Sequence, residues 1–296
     1  MTIVVSLKSA VATGGGVVAA GFLCFLFIGA VFCEATLHVP RSVARTPPNA
    51  EVVSVAARDV ARLSAWWLKP DKPNGNCVMV LHGIGDSRSG SAGFAPMFLR
   101  EGYGVLLPDS RAHGTSEGRF VTYGLLEKYD VAAWMDWMKR AGCRNLYALG
   151  ESLGAAVAIL AASIQPGFSA IVAECSYADL PEIAEYRVQQ MLGMPSLLAV
   201  PLAKLAVSSG LFYARWVDGL DLEHVSPVRA IANTMTPILL IHGLKDFRTP
   251  PPHSEKLARA NPRDPLWLVP NALHTGAASA EPDEFRRRVL AWFAGY

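Results

Sequence analysis

The stretch of this chain best suited to chemistry is a serine with a glycine two positions away on either side, Gly150-Glu151-Ser152-Leu153-Gly154. The apolar run Leu146-Tyr147-Ala148-Leu149 before it reads as a short buried strand, and the run Ala155 to Ala162 after it as a helix. A strand that turns at once into a helix holds the corner residue in a strained conformation above the sheet. Glycines on either side let the flanking backbones pass closely. Ser152 at such a corner stands at a helix N-terminus, whose partial positive charge favours an oxyanion. The expected chemistry is nucleophilic attack by the Ser152 hydroxyl. That attack needs a base to take the proton and N–H groups to receive the charge that develops on the substrate oxygen.

The N–H groups have two candidate sources. The apolar run Cys77-Val78-Met79-Val80-Leu81 ends in His82-Gly83-Ile84-Gly85-Asp86, and a flexible His-Gly turn at the end of a central strand can aim a backbone N–H at the nucleophile. Ile84 is expected to supply one half of this oxyanion hole and Leu153 the other, with His82 bracing the loop. Asp246 stands just past the strand Pro237 to Ile241, at the carboxyl end where open parallel sheets place ligand sites. His274 lies in the loop after the last strand, Leu266 to Val269. Asp109 and His113 offer a competing acid and histidine in the polar loop 109–116. They precede the serine, whereas the order that goes with this motif is serine, acid, histidine. They are expected to scaffold that loop, and His224 and His253 to be bystanders.

Positioning these residues requires a sheet. Glu51 to Ala56 and Leu63 to Leu68 alternate as strands and predict an antiparallel hairpin at one edge. Further on, apolar strands at 77–81, 104–107, 146–149, 170–173, 237–241 and 266–269 alternate with helices predicted at Phe94–Arg100, 124–140, after the serine, and Glu284–Ala294. That rhythm predicts a mostly parallel sheet with helices on both faces. Residues 177–228 break it: they are helical and apolar, interrupted by Pro195 and Pro201, and read as an inserted helical cap.

The chain has 296 residues, 51% hydrophobic and 18% charged, enough for a sizeable α/β core. A net charge of +2 gives no reason to expect a nucleic-acid partner. From Ala10 to Cys33 there is no charge, and Val17 to Phe32 is almost wholly apolar. Such a run is long for the core of a cleaved signal, so residues 1–35 are expected to be a retained single-pass membrane anchor. A secreted or periplasmic protein after signal cleavage is the alternative. Residues 36–50, with Pro40, Pro47 and Pro48, read as a linker, and 51–296 as the globular domain. Basic residues on the two sides of the apolar run are too evenly placed to orient it. Cys77, Cys143 and Cys175 lack metal-ligand spacing and are expected to be small buried apolar residues.

Taken in order, His82-Gly83, the loop Asp109 to Ser116, the serine corner, the Pro237–Asp246 strand and turn, and His274 resemble those of α/β-hydrolase-fold serine hydrolases over roughly residues 51–294. Within that fold the Asp-x-Arg-x-His-Gly-x-Ser loop is similar to an esterase and acyl-peptidase-like branch that includes membrane-anchored members. The resemblance implies Ser152 as nucleophile, Asp246 as acid and His274 as base. It further implies cleavage of a small-molecule acyl ester through an acyl-enzyme, without metal or organic cofactor. Peptidase, thioesterase and acyltransferase activities use the same three residues and stay open. So does a non-catalytic binding role at a membrane.

Overall fold

The computed structural model describes residues 2–296. Met1 and the side chains of residues 2–15, 17 and 18 lie outside the described residues, so the expected apolar run is covered only in part at its start. The chain forms two compact units, one of His38–Ile183 with His224–Tyr296 and the other of the residues up to Leu37 with Ala184–Glu223.

The larger unit is built on one eight-stranded sheet. In chain order its strands are β1 (Ala50–Ala56), β2 (Arg62–Leu68), β3 (Asn76–Leu81), β4 (Gly104–Pro108), β5 (Asn145–Glu151), β6 (Phe168–Glu174), β7 (Ile238–Gly243) and β8 (Leu266–Val269), in the spatial order β1-β2-β4-β3-β5-β6-β7-β8. The β1–β2 hairpin and the β2–β4 pair are antiparallel, and all other pairs are parallel. The strand that leads to Ser152, β5, thus lies in the interior of the sheet between β3 and β6. Its residues Leu146 to Gly150 are buried, as expected of a parallel strand covered on both faces.

The helices of the described chain are α1 (Thr2–Leu37), α2 (Ala95–Arg100), α3 (Glu127–Arg140), α4 (Leu153–Ile164), α5 (Leu180–Leu192), α6 (Ser196–Trp216), α7 (Pro227–Ala232), α8 (Pro252–Ala260), α9 (Ala277–Ala280) and α10 (Pro282–Ala294). The first ten residues of α4 are buried, so this helix is apolar all round because it is enclosed all round. One layer of the core is aromatic, with Phe293 of α10 stacked on Phe98 of α2 at 5.8 Å and against Tyr147 of β5 at 4.7 Å. Two local expectations are corrected. The helix expected from 124 begins at Glu127, because Gly124 has φ +104° and the Glu127 carboxylate accepts the N–H groups of Thr122 and Gly124. Pro201 does not interrupt its helix. It stands in the second turn of α6, where its missing N–H removes the bond to the Leu197 carbonyl and the helix runs on to Trp216.

Cys77 and Cys143 are not two isolated apolar residues; they form a disulfide. Parallel pairing of β3 with β5 sets Cys77 opposite Leu146, which brings Cys143, just ahead of β5, within reach. The bond closes a sequence separation of 66 residues, which in the chain-entropy account stabilises the fold by about 4 kcal/mol. Reduction, or the double change Cys77→Ala with Cys143→Ala, is expected to lower the unfolding free energy in urea by about that amount. Cys175 remains a buried free thiol. The expected linker is strapped to the larger unit. Arg41 donates to the carbonyls of Ser116 and Gly118, and the Trp66 indole donates to Thr46.

Candidate active site

Sterics alone explain why the serine corner carries its two glycines. A Cβ on Gly150 would lie 2.5 Å from the carbonyl of Gly154, and one on Gly154 would lie 2.2 Å from the Leu81 carbonyl oxygen. Strand and helix therefore pack against each other, and α4 against β3, at distances that only glycine permits. Ser152 between them has φ +53° and ψ −112°, a conformation that L side chains rarely adopt. Its N–H donates to the Glu174 carbonyl at 2.8 Å, which fixes the corner to the end of β6.

The structure brings Asp246, His274 and Ser152 together from three strand ends. His274 Nε2 lies 2.9 Å from Ser152 Oγ and His274 Nδ1 lies 2.7 Å from Asp246 Oδ2. The other Asp246 oxygen accepts the N–H groups of Arg248 and Thr249 at 2.8 and 3.0 Å. Burial by itself would raise the Asp246 carboxyl. Hydrogen bonds from His242, His274 and the Thr249 N–H outweigh it and hold the group well below the usual carboxylate range, so it is ionised. An ionised Asp246 receives Nδ1–H, which leaves the Nε2 lone pair facing the serine hydroxyl.

The expected donors to an oxyanion also lie at this corner. Gly83 runs alongside Ser152, since a Cβ on it would sit 3.5 Å from Ser152 Cβ. The Gly85 N–H is taken by His113 Nε2 at 3.1 Å, whereas no acceptor for the Ile84 N–H is present among the described residues. Leu153 begins α4, so its N–H has no intrahelical acceptor. His82, Asp109 and His113 serve the loops. His82 Nε2 accepts the Ser110 N–H at 3.0 Å, and Asp109 accepts the N–H groups of Arg88 and Thr115 at 2.8 Å while paired with the Arg88 guanidinium at 3.1 Å. Burial pushes both histidines down, His82 to about 4, which keeps each neutral with one ring nitrogen donating and one accepting. Of the expected bystanders, His253 accepts the Ala178 N–H through Nδ1 at 3.3 Å, and His224 ends a 3-10 turn in the chain's 222–224 segment.

Comparison with known proteins bears on the fold that carries this arrangement. The family model for serine aminopeptidases of the S33 type matches residues 72–210, which hold the Gly83 loop and Ser152 and stop short of Asp246 and His274. The uncharacterized protein YqkD of Bacillus subtilis is 29% identical over 220 residues, 72% of this chain and 70% of that protein. The uncharacterized protein Rv2307c of Mycobacterium tuberculosis is 27% identical over 257 residues, 85% and 82% of the two chains. Among solved structures, the Pyrococcus furiosus esterase Pf2001 superposes with a TM-score of 0.72 over 88% of this chain and 98% of its own, at 24% identity. The chain has the α/β-hydrolase fold.

The serine corner is held by three supports that the sequence by itself did not single out. His242, at the end of β7, donates from Nε2 to the Thr249 carbonyl at 2.7 Å, lies 3.3 Å from Asp246 Oδ2 and accepts from Ser254 at Nδ1. It buttresses the acid; a histidine four residues before that acid on the same strand end was the available signal. Cys175, also at positive φ, accepts the Thr275 N–H and so ties the His274 loop to β6. The donors of Cys175, His242 and Asp246 are mutually close enough for a metal. In the fold they are spent on these hydrogen bonds. Glu174, fully buried, accepts the Ala277 N–H at 2.8 Å through Oε1, while its Oε2 has no partner among the described residues.

Burial pushes Glu174 up to about 7 from 4.5, against the Ala277 N–H and His242. Glu151, its register partner on β5, is pushed up to about 8 by burial and by the Glu174 charge. Between the ordinary value of 4.5 and these raised values the folded chain keeps protons that the unfolded chain gives up, so folding stability falls as pH rises through the window. Glu174→Gln has no such charge to bury. Relative to the wild type it is expected to be more stable at about pH 8.5 than at about pH 5 by a margin of order 3 kcal/mol. Denaturant titration at both pH values checks this, and an equal difference at the two would show that burial does not raise the Glu174 carboxyl.

Proposed function

We propose that the protein is a serine hydrolase that cleaves acyl esters at Ser152 through an acyl-enzyme. The observation that carries the reading is the relay Ser152–His274–Asp246, closed at 2.9 and 2.7 Å on a serine held at positive φ. His274 Nε2 takes the hydroxyl proton as Ser152 Oγ attacks the acyl carbon. Asp246 stabilises the imidazolium that results, and the N–H groups of Ile84 and Leu153 receive the oxyanion. His274 then protonates the departing alcohol, and water, deprotonated by the same imidazole, releases the acid. No step calls for a cofactor.

The surroundings favour an apolar acyl group. Ile84, Leu244, Phe247 and Leu273 are large exposed hydrophobic side chains, each on a loop that also carries a site residue. An acyl chain laid on such a rim gains about 0.8 kcal/mol per buried methylene, roughly a factor of four in binding. The specificity constant for p-nitrophenyl esters is therefore expected to rise from acetyl to butyryl to hexanoyl; a flat or falling series would remove the apolar acyl reading. The family description supplies a second reading, an aminopeptidase. That activity needs a charged carboxylate to hold the substrate ammonium; Asp246 is committed to His274, and Glu151 and Glu174, beside the corner, are driven towards the neutral form by burial. Turnover of alanyl p-nitroanilide above that of the butyryl ester would reverse the preference.

We further propose that residues 1–35 anchor the chain in a membrane, with the larger unit on its oxidising face. Ala19–Leu37 of α1 has a mean hydropathy of 2.0, and disulfides such as Cys77–Cys143 persist in oxidising compartments. A chain that leaves the membrane fraction in carbonate, or one whose Cys77 and Cys143 are both alkylated when cells are quenched with a thiol reagent, would contradict this.

A further inference from the structure

The smaller unit holds a second apolar helix beside α1. Residues Ala19–Leu37 of α1 and Ser196–Trp216 of α6 have mean hydropathies of 2.0 and 1.6 over 19 and 21 residues. At about 1.5 Å per residue both approach the roughly 30 Å of a bilayer's hydrocarbon layer. They pack through small residues. A Cβ on Gly29 would lie 2.5 Å from the Ser209 carbonyl oxygen and one on Gly210 would lie 2.3 Å from the Phe32 ring, so the two backbones approach closely. Cys33 donates its thiol hydrogen to the Gly210 carbonyl, Ser209 donates to the Phe25 carbonyl, and Phe212 packs on Phe22 and Phe25. These contacts run from Phe22 to Cys33, the C-terminal half of the uncharged run of α1. Whatever medium surrounds α1 there also surrounds the C-terminal half of α6.

The faces turned away from this packing are apolar on both helices. Phe27 is 70% exposed on α1, with Leu23 and Val31 also exposed; Leu197 is 85% exposed on α6, followed by Leu198, Leu202 and Leu205. Lys204 is the one charged residue of α6 before Arg215. Exposed apolar side chains gathered on one surface in this way mark an interaction site. Yet α6 cannot be an ordinary crossing. The chain reaches it from β6 and leaves it for β7, neighbouring parallel strands of one sheet. The helix before it, α5, has 13 residues and carries Glu182, Glu185 and Arg187, too short and too charged to cross back. An apolar helix that must begin and end on the same side lies in the interface. The aromatic and basic residues Tyr213, Arg215 and Trp216 close its C-terminal end, as interface residues do.

We propose that α6 is a second membrane element, lying in the interface of a lipid bilayer with Leu197, Leu198, Leu202 and Leu205 among the acyl chains and held at that depth by α1. The inference rests on the anchor reading of α1 and is independent of the reaction. The test uses the full-length chain, carrying Cys24→Ser, in phosphatidylcholine–phosphatidylglycerol vesicles. A single nitroxide is placed in turn at Phe27→Cys, Leu198→Cys, Leu202→Cys and Glu223→Cys. Power saturation compares collisions with oxygen, which partitions into lipid, and with a water-soluble nickel chelate. Positions 27, 198 and 202 are expected to meet oxygen several-fold more than nickel, and position 223 the reverse. Positions 198 and 202 behaving like 223 while 27 reports lipid would overturn the proposal and leave the anchor standing; all four reporting water would overturn both. Low access to both reagents at 198 and 202, with dipolar broadening, would mean that a second copy covers α6 and would also overturn it. In the unlabelled chain, brominated lipid is expected to quench the tryptophan emission that Trp216→Phe removes. Quenching that survives that substitution undiminished would count against the proposal.

Discussion

Replacing Ser152 by alanine is expected to lower ester turnover by about a factor of 10⁶ and to abolish covalent labelling by a fluorophosphonate, with little change in the fold. The magnitude follows from the unit that the serine belongs to. His274 Nε2 at 2.9 Å has no other function in this geometry than to receive the hydroxyl proton, so without Oγ both histidine and acid are idle. What survives is the weak acceleration that the Ile84 and Leu153 N–H groups give to attack by water. The fold is expected to tolerate the change because alanine meets the same φ of +53° as serine and makes the same N–H bond to the Glu174 carbonyl. Steady-state turnover, intact-mass analysis of the labelled protein and a thermal melt check the three parts. Labelling retained at a different residue in a folded variant would move the nucleophile away from Ser152.

Asp246→Asn is expected to cost about 10⁴ in turnover while Ser152 and His274 stay in place. The carboxylate accepts from His274 Nδ1 and from two backbone N–H groups, with His242 Nε2 3.3 Å from it. With Oδ1 kept on its two backbone donors, an asparagine must turn its amide NH₂ towards His274. That forces Nδ1 to accept and puts the ring proton on Nε2, where it faces the serine and cannot receive a proton from it. The same substitution carries a stability signature whose sign is set by the lowered carboxyl. An acid whose value is depressed in the fold stabilises the folded chain above its ordinary value of about 3.9, and that contribution disappears as pH falls through the lowered value. The variant is therefore expected to be less stable than the wild type at neutral pH, and the gap to narrow in acid. Denaturant melts at neutral and acid pH read the gap, and single-turnover kinetics read the chemical step. If Asp109→Asn proved as damaging to turnover as Asp246→Asn in a folded protein, the acid would have to be reassigned. Asp109 is committed to Arg88 and Thr115, and its replacement is expected to act through the loop.

The serine corner was legible in the chain because its signals are local. Gly150 is demanded by a 2.5 Å contact with Gly154 that arises where a strand turns directly into a helix, and the apolar runs on either side carry the periods of a buried strand and a buried helix within a dozen residues; the 2.2 Å approach of Gly154 to Leu81 is the part of this corner that depends on the neighbouring strand. The same locality explains why the alternating pattern foretold a parallel sheet, and why Asp246 and His274 could be placed at strand ends before their distances were known.

The supports of that corner were not legible, because each depends on which strands become neighbours. Cys77 and Cys143 join since β3 pairs with β5 in a particular register, and nothing in a separation of 66 residues announces that partnership. Glu174 reaches the Ala277 N–H, and Cys175 the Thr275 N–H, across 103 and 100 residues of chain. His242 bears on Asp246 after a turn whose path composition does not specify. Residues 177–228 were read as one insertion, whereas Ala184–Glu223 form a unit with α1, because small residues such as Gly29 and Gly210 declare a helix contact only once the opposing helix is present. Backbone sterics and hydrophobic period act over a few residues and are written into any short stretch of sequence. Strand order, register and helix pairing are properties of the assembled chain, settled by what the whole of it can bury at once.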